Sequence, residues 1–173
     1  MKKLICVLIV LALSTVAALA EPVAYTDRAD DFTFTYDSDV FEIVQEEYQS
    51  EEDDDLVLVL GGKDEAWGNV FIQFTRTAVN PEDAEANRAA EEELIAGMGA
   101  TKGEWNGFYE VLMYAAEDDE SLEQTFVIPC TNDETLAILV HVDKIEDEEA
   151  AMNRDDQISA VLDTLKFVEH FPG

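Results

Sequence analysis

Leu56-Val57-Leu58-Val59-Leu60 is an apolar run without a single polar position. Successive side chains of a strand point to opposite faces of its sheet, so a strand of this composition has no face that suits water. The segment 136–142, Leu-Ala-Ile-Leu-Val-His-Val, is also apolar on one face and largely apolar on the other. Both segments therefore predict strands inside a sheet that is covered on both sides.

Further strands with clearer alternation surround these two segments. Phe32–Tyr36 alternates aromatic residues with threonine, and 70–75 alternates Val, Ile and Phe with Phe, Gln and Thr. The runs 101–105 and 108–116 flank Asn106-Gly107, and Asn-Gly favours a two-residue hairpin turn because both positions need a positive φ. Connections of this kind predict a mainly antiparallel sheet.

Two segments carry helical periodicity. Asn80-Pro81 predicts a helix start, because Asn caps well and Pro fits the first helical position. The predicted inner face of this first helix comprises Ala86, Ala90, Leu94 and Met98, with Ile95 beside them. The second helix carries the stripe Ile158, Val161, Leu162 and Leu165, at the spacing that packs on a sheet.

The order of elements is four strands and a helix, followed by four more strands and a second helix. With apolar residues on both faces of several strands, the economical arrangement places one helical layer on each side of the sheet. We therefore predict the α+β class: a mainly antiparallel central sheet covered by helices on both faces, an α/β/α sandwich.

Two short motifs resemble those of the PsbP-like domains, the family of the photosystem extrinsic protein and its bacterial relatives. Residues 31–37, Asp-Phe-Thr-Phe-Thr-Tyr-Asp, resemble the opening F-x-F-x-Y-P strand, with Asp37 where Pro is usual. Residues 158–167 resemble the closing I-L-x-S-h-x-F segment, with Thr164 where Ser is usual. The resemblance spans roughly residues 25–168. It implies an α/β/α sandwich and a binding or assembly role, and it transfers no functional residue.

The N-terminus has the features of a secretory signal peptide. Lys2 and Lys3 precede the apolar run 4–16, and Ala18-Leu19-Ala20 offers the small-x-small pattern that precedes cleavage. The run is too short for a comfortable transmembrane anchor. We therefore expect residues 1–20 to be removed and 21–173 to be secreted as a single domain with a short C-terminal tail, without stable membrane insertion.

The amino-acid composition limits the classes of molecule that we expect the protein to bind. The full chain has 10 Lys and Arg against 40 Asp and Glu, a net charge of −30. This charge repels nucleic-acid phosphates and anionic lipids, so we expect neither as a partner. The acidic residues alternate with apolar segments, which is typical of a folded domain with a negative surface. Cys130 is the one cysteine after residue 20, so the secreted chain is expected to lack an internal disulfide.

No catalytic constellation stands out. The histidines are His141, in an apolar strand, and His170, in the tail, and no Gly-x-Ser-x-Gly elbow occurs. Chemistry between Cys130 and His141 would need a lowered thiol pKa, and no basic residue flanks Cys130. We interpret His141 as structural, expect no enzymatic activity, and assign no catalytic, cofactor-binding or metal-binding residue and no cofactor.

Calcium and ligand stacking are the remaining candidates. The acidic runs 51–55 and 117–120 could associate weakly with calcium, although neither has the ligand spacing of an EF-hand loop. Trp67 and Trp105 could stack on a ligand, but packing over the core is the favoured interpretation of both.

The sequence therefore predicts an exported, non-catalytic binding or accessory module whose partner is an unidentified protein or small ligand. One alternative is an acidic, calcium-responsive surface or secreted protein. The other is an enzyme that uses a carboxylate site whose position the sequence does not show.

Overall fold

A computed structural model describes residues 22–27, 32–46, 56–78, 84–105, 107–129 and 134–167. The predicted signal peptide, the acidic run 51–55, Cys130 and His170 lie outside these ranges. In the described part, no helix is both long enough and apolar enough to cross a bilayer.

The described residues form ten strands and two α-helices, with a short 3-10 turn at Glu65–Trp67. The strands are β1 (Pro22–Thr26), β2 (Phe32–Asp37), β3 (Phe41–Glu46), β4 (Leu56–Gly62), β5 (Val70–Ala78), β6 (Thr101–Trp105), β7 (Phe108–Glu117), β8 (Ser121–Pro129), β9 (Glu134–Asp143) and β10 (Lys166–Phe167). The helices are α1 (Ala84–Met98) and α2 (Glu148–Leu162).

The strands form two sheets. The large sheet has seven strands in the order β3-β4-β5-β9-β8-β7-β6, and the small sheet has three in the order β1-β2-β10. Neighbouring strands pair antiparallel in both sheets. The predicted hairpin around Gly107 is confirmed, since β6 pairs with β7 and Gly107 has a φ of 80°.

One face of the large sheet forms the core. At its centre, β5 and β9 place Ile72 opposite Val140 and Phe74 opposite Ile138, all four buried. The small sheet covers this face through aromatic rings: the centroid of Phe34 lies 4.8 Å from that of Phe74, with nearly parallel planes. α2 covers the same face beside the small sheet, and its residues Ile158, Val161 and Leu162 belong to the same buried cluster.

The prediction of helical layers on both faces is wrong, and so is the α/β/α sandwich that the family resemblance implied. The described residues are mostly β, with 56% of them in strands, and a second sheet supplies much of the cover that was assigned to helices. On α1, Ala86 and Ala90 are exposed and Met98 is 47% exposed, so the described part of the predicted inner face is not buried. Alanine methyl groups offer little apolar area, which gives such a stripe little energy for packing.

A buried ion pair joins the two sheets. Asp27, which follows β1, is 2% exposed, and its carboxylate pairs with the guanidinium of Arg76 on β5. Its other oxygen accepts a hydrogen bond from the backbone N–H of Phe32 at 3.0 Å. Asp27 therefore binds the start of β2 and the large sheet at once, which no sequence pattern indicated.

Substitutions on the two faces of β9 test whether the large sheet is covered on one face only. We expect Ile138→Asp, at a position with 0% exposure on the core face, to cost more than about 4 kcal/mol and to prevent folding, because the charge has no path to water. Leu139→Asp, at a half-buried position on the opposite face, should fold and cost about 1–2 kcal/mol. Urea unfolding of both variants measures the difference, and equal losses would contradict the one-sided cover.

Asp27→Ala should destabilise the protein by about 3–5 kcal/mol, since it leaves the Arg76 guanidinium without its buried carboxylate partner. Asp119→Ala, at an exposed position between β7 and β8, is the matched control and should change stability by less than about 0.5 kcal/mol. Thermal unfolding followed by circular dichroism distinguishes the two. Similar melting temperatures would show that the ion pair does not hold the sheets together.

Candidate functional site

A groove lies on the core face of the large sheet, beside α2, where the helix no longer covers the strands. Its volume is about 280 Å³. The floor consists of side chains from β8 and β9, all apolar except Gln124, namely Leu122, Gln124, Phe126, Val140 and Val142. The wall is the adjacent face of α2 with its C-cap Asp163. It comprises the buried residues Arg154, Ile158 and Leu162 and the exposed residues Asp155, Ser159 and Asp163.

Burial changes abruptly across this floor. On β9, Val140 and Val142 are buried. Leu122, opposite Val142 on β8, is only half-buried, and the next core-facing residue of β8, Gln124, is exposed. The core face of the large sheet therefore continues past the edge of α2 without being fully covered.

Capping and tertiary hydrogen bonds fix the position of α2. At its N-terminus, the Asp147 carboxylate accepts hydrogen bonds from the backbone N–H groups of Glu149 and Ala150, at 3.0 and 3.1 Å. After its C-terminus, the Thr164 hydroxyl oxygen accepts from the backbone N–H of Thr35 on β2 at 2.8 Å. The cap thus stabilises the first turn of α2 itself, and the Thr164 hydroxyl attaches the C-terminal end of the wall to β2.

Arg154 is the polar residue buried in this wall. It is the one basic residue of α2, and its side chain is 7% exposed. Its Nη1 donates to the backbone oxygen of Asp143 at 2.7 Å, and its Nε donates to the Asp155 carboxylate at 2.9 Å. These two bonds hold the planar guanidinium against the end of β9.

Asp143 connects the groove with the opposite face of the sheet. Its backbone oxygen receives Arg154, whereas its carboxylate accepts from the backbone N–H and the side-chain amide of Asn69, both at 2.8 Å. The backbone hydrogen bond from Asn69 is the main reason that the pKa of Asp143 lies below its ordinary value of 3.8, and His141 lowers it further. Gly68 has a φ of 69°, and a Cβ there would lie 2.8 Å from the Cβ of Asp143, so this close approach requires glycine.

His141 lies on the face opposite the groove. Its ring stacks on Phe71 with centroids 4.6 Å apart, and its Nδ1 and Nε2 lie 3.0 and 3.4 Å from carboxylate oxygens of Glu123 and Asp143. The side chain is 17% exposed. Both of its described polar partners are carboxylates rather than hydroxyl or thiol groups, and Cys130 lies outside the described ranges, so the structural interpretation of His141 stays a prediction.

The acidic run 117–120 forms an internally bonded turn. The Asp118 carboxylate accepts from the backbone N–H groups of Glu120 and Ser121, which lower its pKa. Lys144 donates to the backbone oxygen of Asp118 and pairs with Glu117 at 2.7 Å. The described part of the chain contains no group of three or more His, Cys, Asp or Glu side chains suited to a metal ion.

The two tryptophans have different outcomes. Trp67 is buried, and its ring centroid lies 6.1 Å from that of Phe41, so it packs in the core rather than offering a stacking surface. The side chain of Trp105 lies outside the described set.

The sequence analysis did not predict the groove. A usable signal was Arg154, a single basic residue in a helix that also carries Glu148, Glu149 and Asp155.

Comparisons with known proteins bear on the fold alone. No protein-family model matches the chain, and no curated protein matches it. It is similar to a crystal structure from Bacteroides thetaiotaomicron VPI-5482, at a TM-score of 0.50 and 12% identity. The match covers 85% of this chain and 48% of that one, so this chain spans about half the length of the structure it matches.

The lowered pKa of Asp143 predicts a pH dependence of stability. Its ionised form is favoured in the folded state, so its contribution is present above 3.8 and is lost as the pH falls through the lower folded value. Asp143→Asn, a neutral isostere, should be less stable than the parent chain at pH 7 and approach it as the medium becomes more acidic. Urea unfolding across this range tests the prediction, and a pH-independent difference would contradict it.

Proposed function

We propose that this chain is an exported, non-catalytic binding module and that its ligand site is the groove between α2 and β8–β9. The ligand is a small molecule, or a single bulky side chain of a partner, with an apolar surface. The observation that carries the proposal is the incomplete cover of the core face: Leu122 and Phe126 face the same side as buried residues of β9 but remain half-buried.

Size and lining support a small ligand. Small-molecule sites commonly have volumes of about 300–1,000 Å³, apolar walls and a few placed polar groups. At about 280 Å³, the groove lies just below this range and is too small for a large cofactor. Its floor is mostly apolar, with Gln124 of β8 as the polar exception, and its other polar side chains stand on the wall that α2 and its C-cap form.

The placement of the reactive side chains supports a non-catalytic role. Ser159 is the hydroxyl-bearing residue that lines the groove, and His141 lies on the other face of the sheet. Hydrolysis by a serine needs the base within hydrogen-bond reach of the hydroxyl. Export rests on residues 1–20, and the charge of −30 favours partners other than nucleic acids and anionic membranes.

A groove-filling variant tests the site. The neutral fluorescent probe N-phenyl-1-naphthylamine should bind the mature chain saturably, because its emission rises in apolar surroundings. Ser159→Trp, which places an indole in the groove, should reduce the affinity for this probe at least tenfold. A fluorescence titration of folded protein measures the effect.

Asp156→Trp is the matched control, since Asp156 is an exposed residue of α2 that does not line the groove. It adds the same indole and should leave the probe affinity within twofold of the parent value. Equal affinities of the Ser159→Trp variant and the parent chain would place the probe elsewhere and contradict the proposed site.

A further inference from the structure

We infer that the groove selects ligands that combine an apolar body with an uncharged hydrogen-bond acceptor, such as the carbonyl of an amide or ester, and that Arg154 receives this acceptor. The inference rests on the proposed function and specifies the ligand class of the same site. It is carried by the donors of Arg154 that the fold leaves available and by the charges around them.

Arg154 has more donors than the fold uses. A guanidinium carries five N–H groups, and this one makes two side-chain hydrogen bonds, from Nη1 to Asp143 and from Nε to Asp155. Among the described residues no hydrogen bond from Nη2 is found. Since no fully buried side-chain nitrogen or oxygen there lacks a partner, Nη2 is open to solvent even though the side chain as a whole is 93% buried. The residue lines the groove, so the groove is where an acceptor can reach the remaining donors.

Burial makes these donors valuable to a ligand. A polar group without its hydrogen bonds costs about 1–3 kcal/mol when it is removed from water, and more when it is charged. A ligand that covers the apolar floor at Leu122 and Val142 displaces water from the guanidinium as well. A ligand that supplies an acceptor is therefore favoured over a purely apolar one, which leaves Nη2 desolvated and unbonded.

The surrounding charges favour an uncharged acceptor over an anionic one. The positive charge of Arg154 is already paired with the carboxylate of Asp155 at 2.9 Å. A second carboxylate, that of Asp163, lines the same wall, and the chain as a whole carries −30. A carboxylate ligand would meet one cation and two carboxylates, a net negative charge, whereas a carbonyl oxygen accepts the hydrogen bond without this repulsion.

Three probes with the same carbon chain test this inference: hexanamide, hexanoate and hexylammonium. Each is titrated against the mature chain that carries N-phenyl-1-naphthylamine, and displacement of the probe is measured at pH 7. Hexanamide should displace it with at least tenfold higher affinity than hexanoate and at least fivefold higher affinity than hexylammonium, which has no acceptor.

Two variants identify the residue responsible. Arg154→Lys keeps the charge but loses the planar fork, and it should reduce hexanamide affinity at least fivefold more than it reduces the affinity for hexylammonium, which has no acceptor. Asp155→Asn removes the carboxylate paired with Arg154, and it should raise hexanoate affinity at least threefold relative to hexanamide. Arg154→Gln, which also removes the charge, serves where the lysine variant does not fold.

The outcomes separate the two proposals. If the naphthylamine probe binds in the groove but the three hexyl compounds displace it equally, the acceptor inference is overturned and the groove remains a binding site. If hexanoate is preferred in the parent chain, the charge argument is overturned in the same way. If the probe itself is insensitive to Ser159→Trp, the proposed function fails first.

Discussion

Burial of the core face of β5 and β9 is the constraint on which the rest of the structure depends. Phe34 stacks on Phe74 with centroids 4.8 Å apart, which brings the small sheet onto the large one. α2 completes the cover with Ile158 and Val161. A fully buried apolar side chain contributes about 1.5–3 kcal/mol, so this shared cluster outweighs any single polar contact in the fold.

The same packing accounts for the groove. The small sheet and α2 together cover the core face over β5 and β9, but the sheet continues sideways into β8, where Leu122 and Phe126 remain half-buried. A seven-stranded sheet is wider than the two elements that pack on it. The groove thus forms because the large sheet is wider than the small sheet and α2 together. Arg154 lies at the edge of α2, where the core face becomes uncovered.

Polar contacts beside the groove link the two faces of the large sheet. Asp143 offers its backbone oxygen to Arg154 on the groove side and its carboxylate to Asn69 and His141 on the other. The chain has 10 Lys and Arg residues against 40 acidic residues, and a single arginine, asparagine and histidine make these contacts. Lys144 has a similar role beside Asp118, where it pairs with Glu117 and closes the neighbouring turn.

Local patterns determined most of the strands and both helices. Alternation in Phe32–Tyr36 and the turn signal at Gly107 act between residues close in the chain, so they can be read without tertiary information. The two-residue strand β10 and the strand β1 were missed, because neither carries a periodic pattern. Their pairing with β2 is stabilised by packing against the rest of the fold.

The sequence by itself thus determined the antiparallel strands, the helical segments and the negative surface, because each follows from neighbouring residues or from composition. Only the tertiary structure decided that a second sheet, rather than a second helical layer, packs against the first. It also brought Arg154 to Asp143 and Asp27 to Arg76. Each of these contacts joins two different elements, and no periodic pattern in the sequence indicates them. An apolar stripe indicates that a face will be buried, but the areas and shapes of all the elements together determine what buries it.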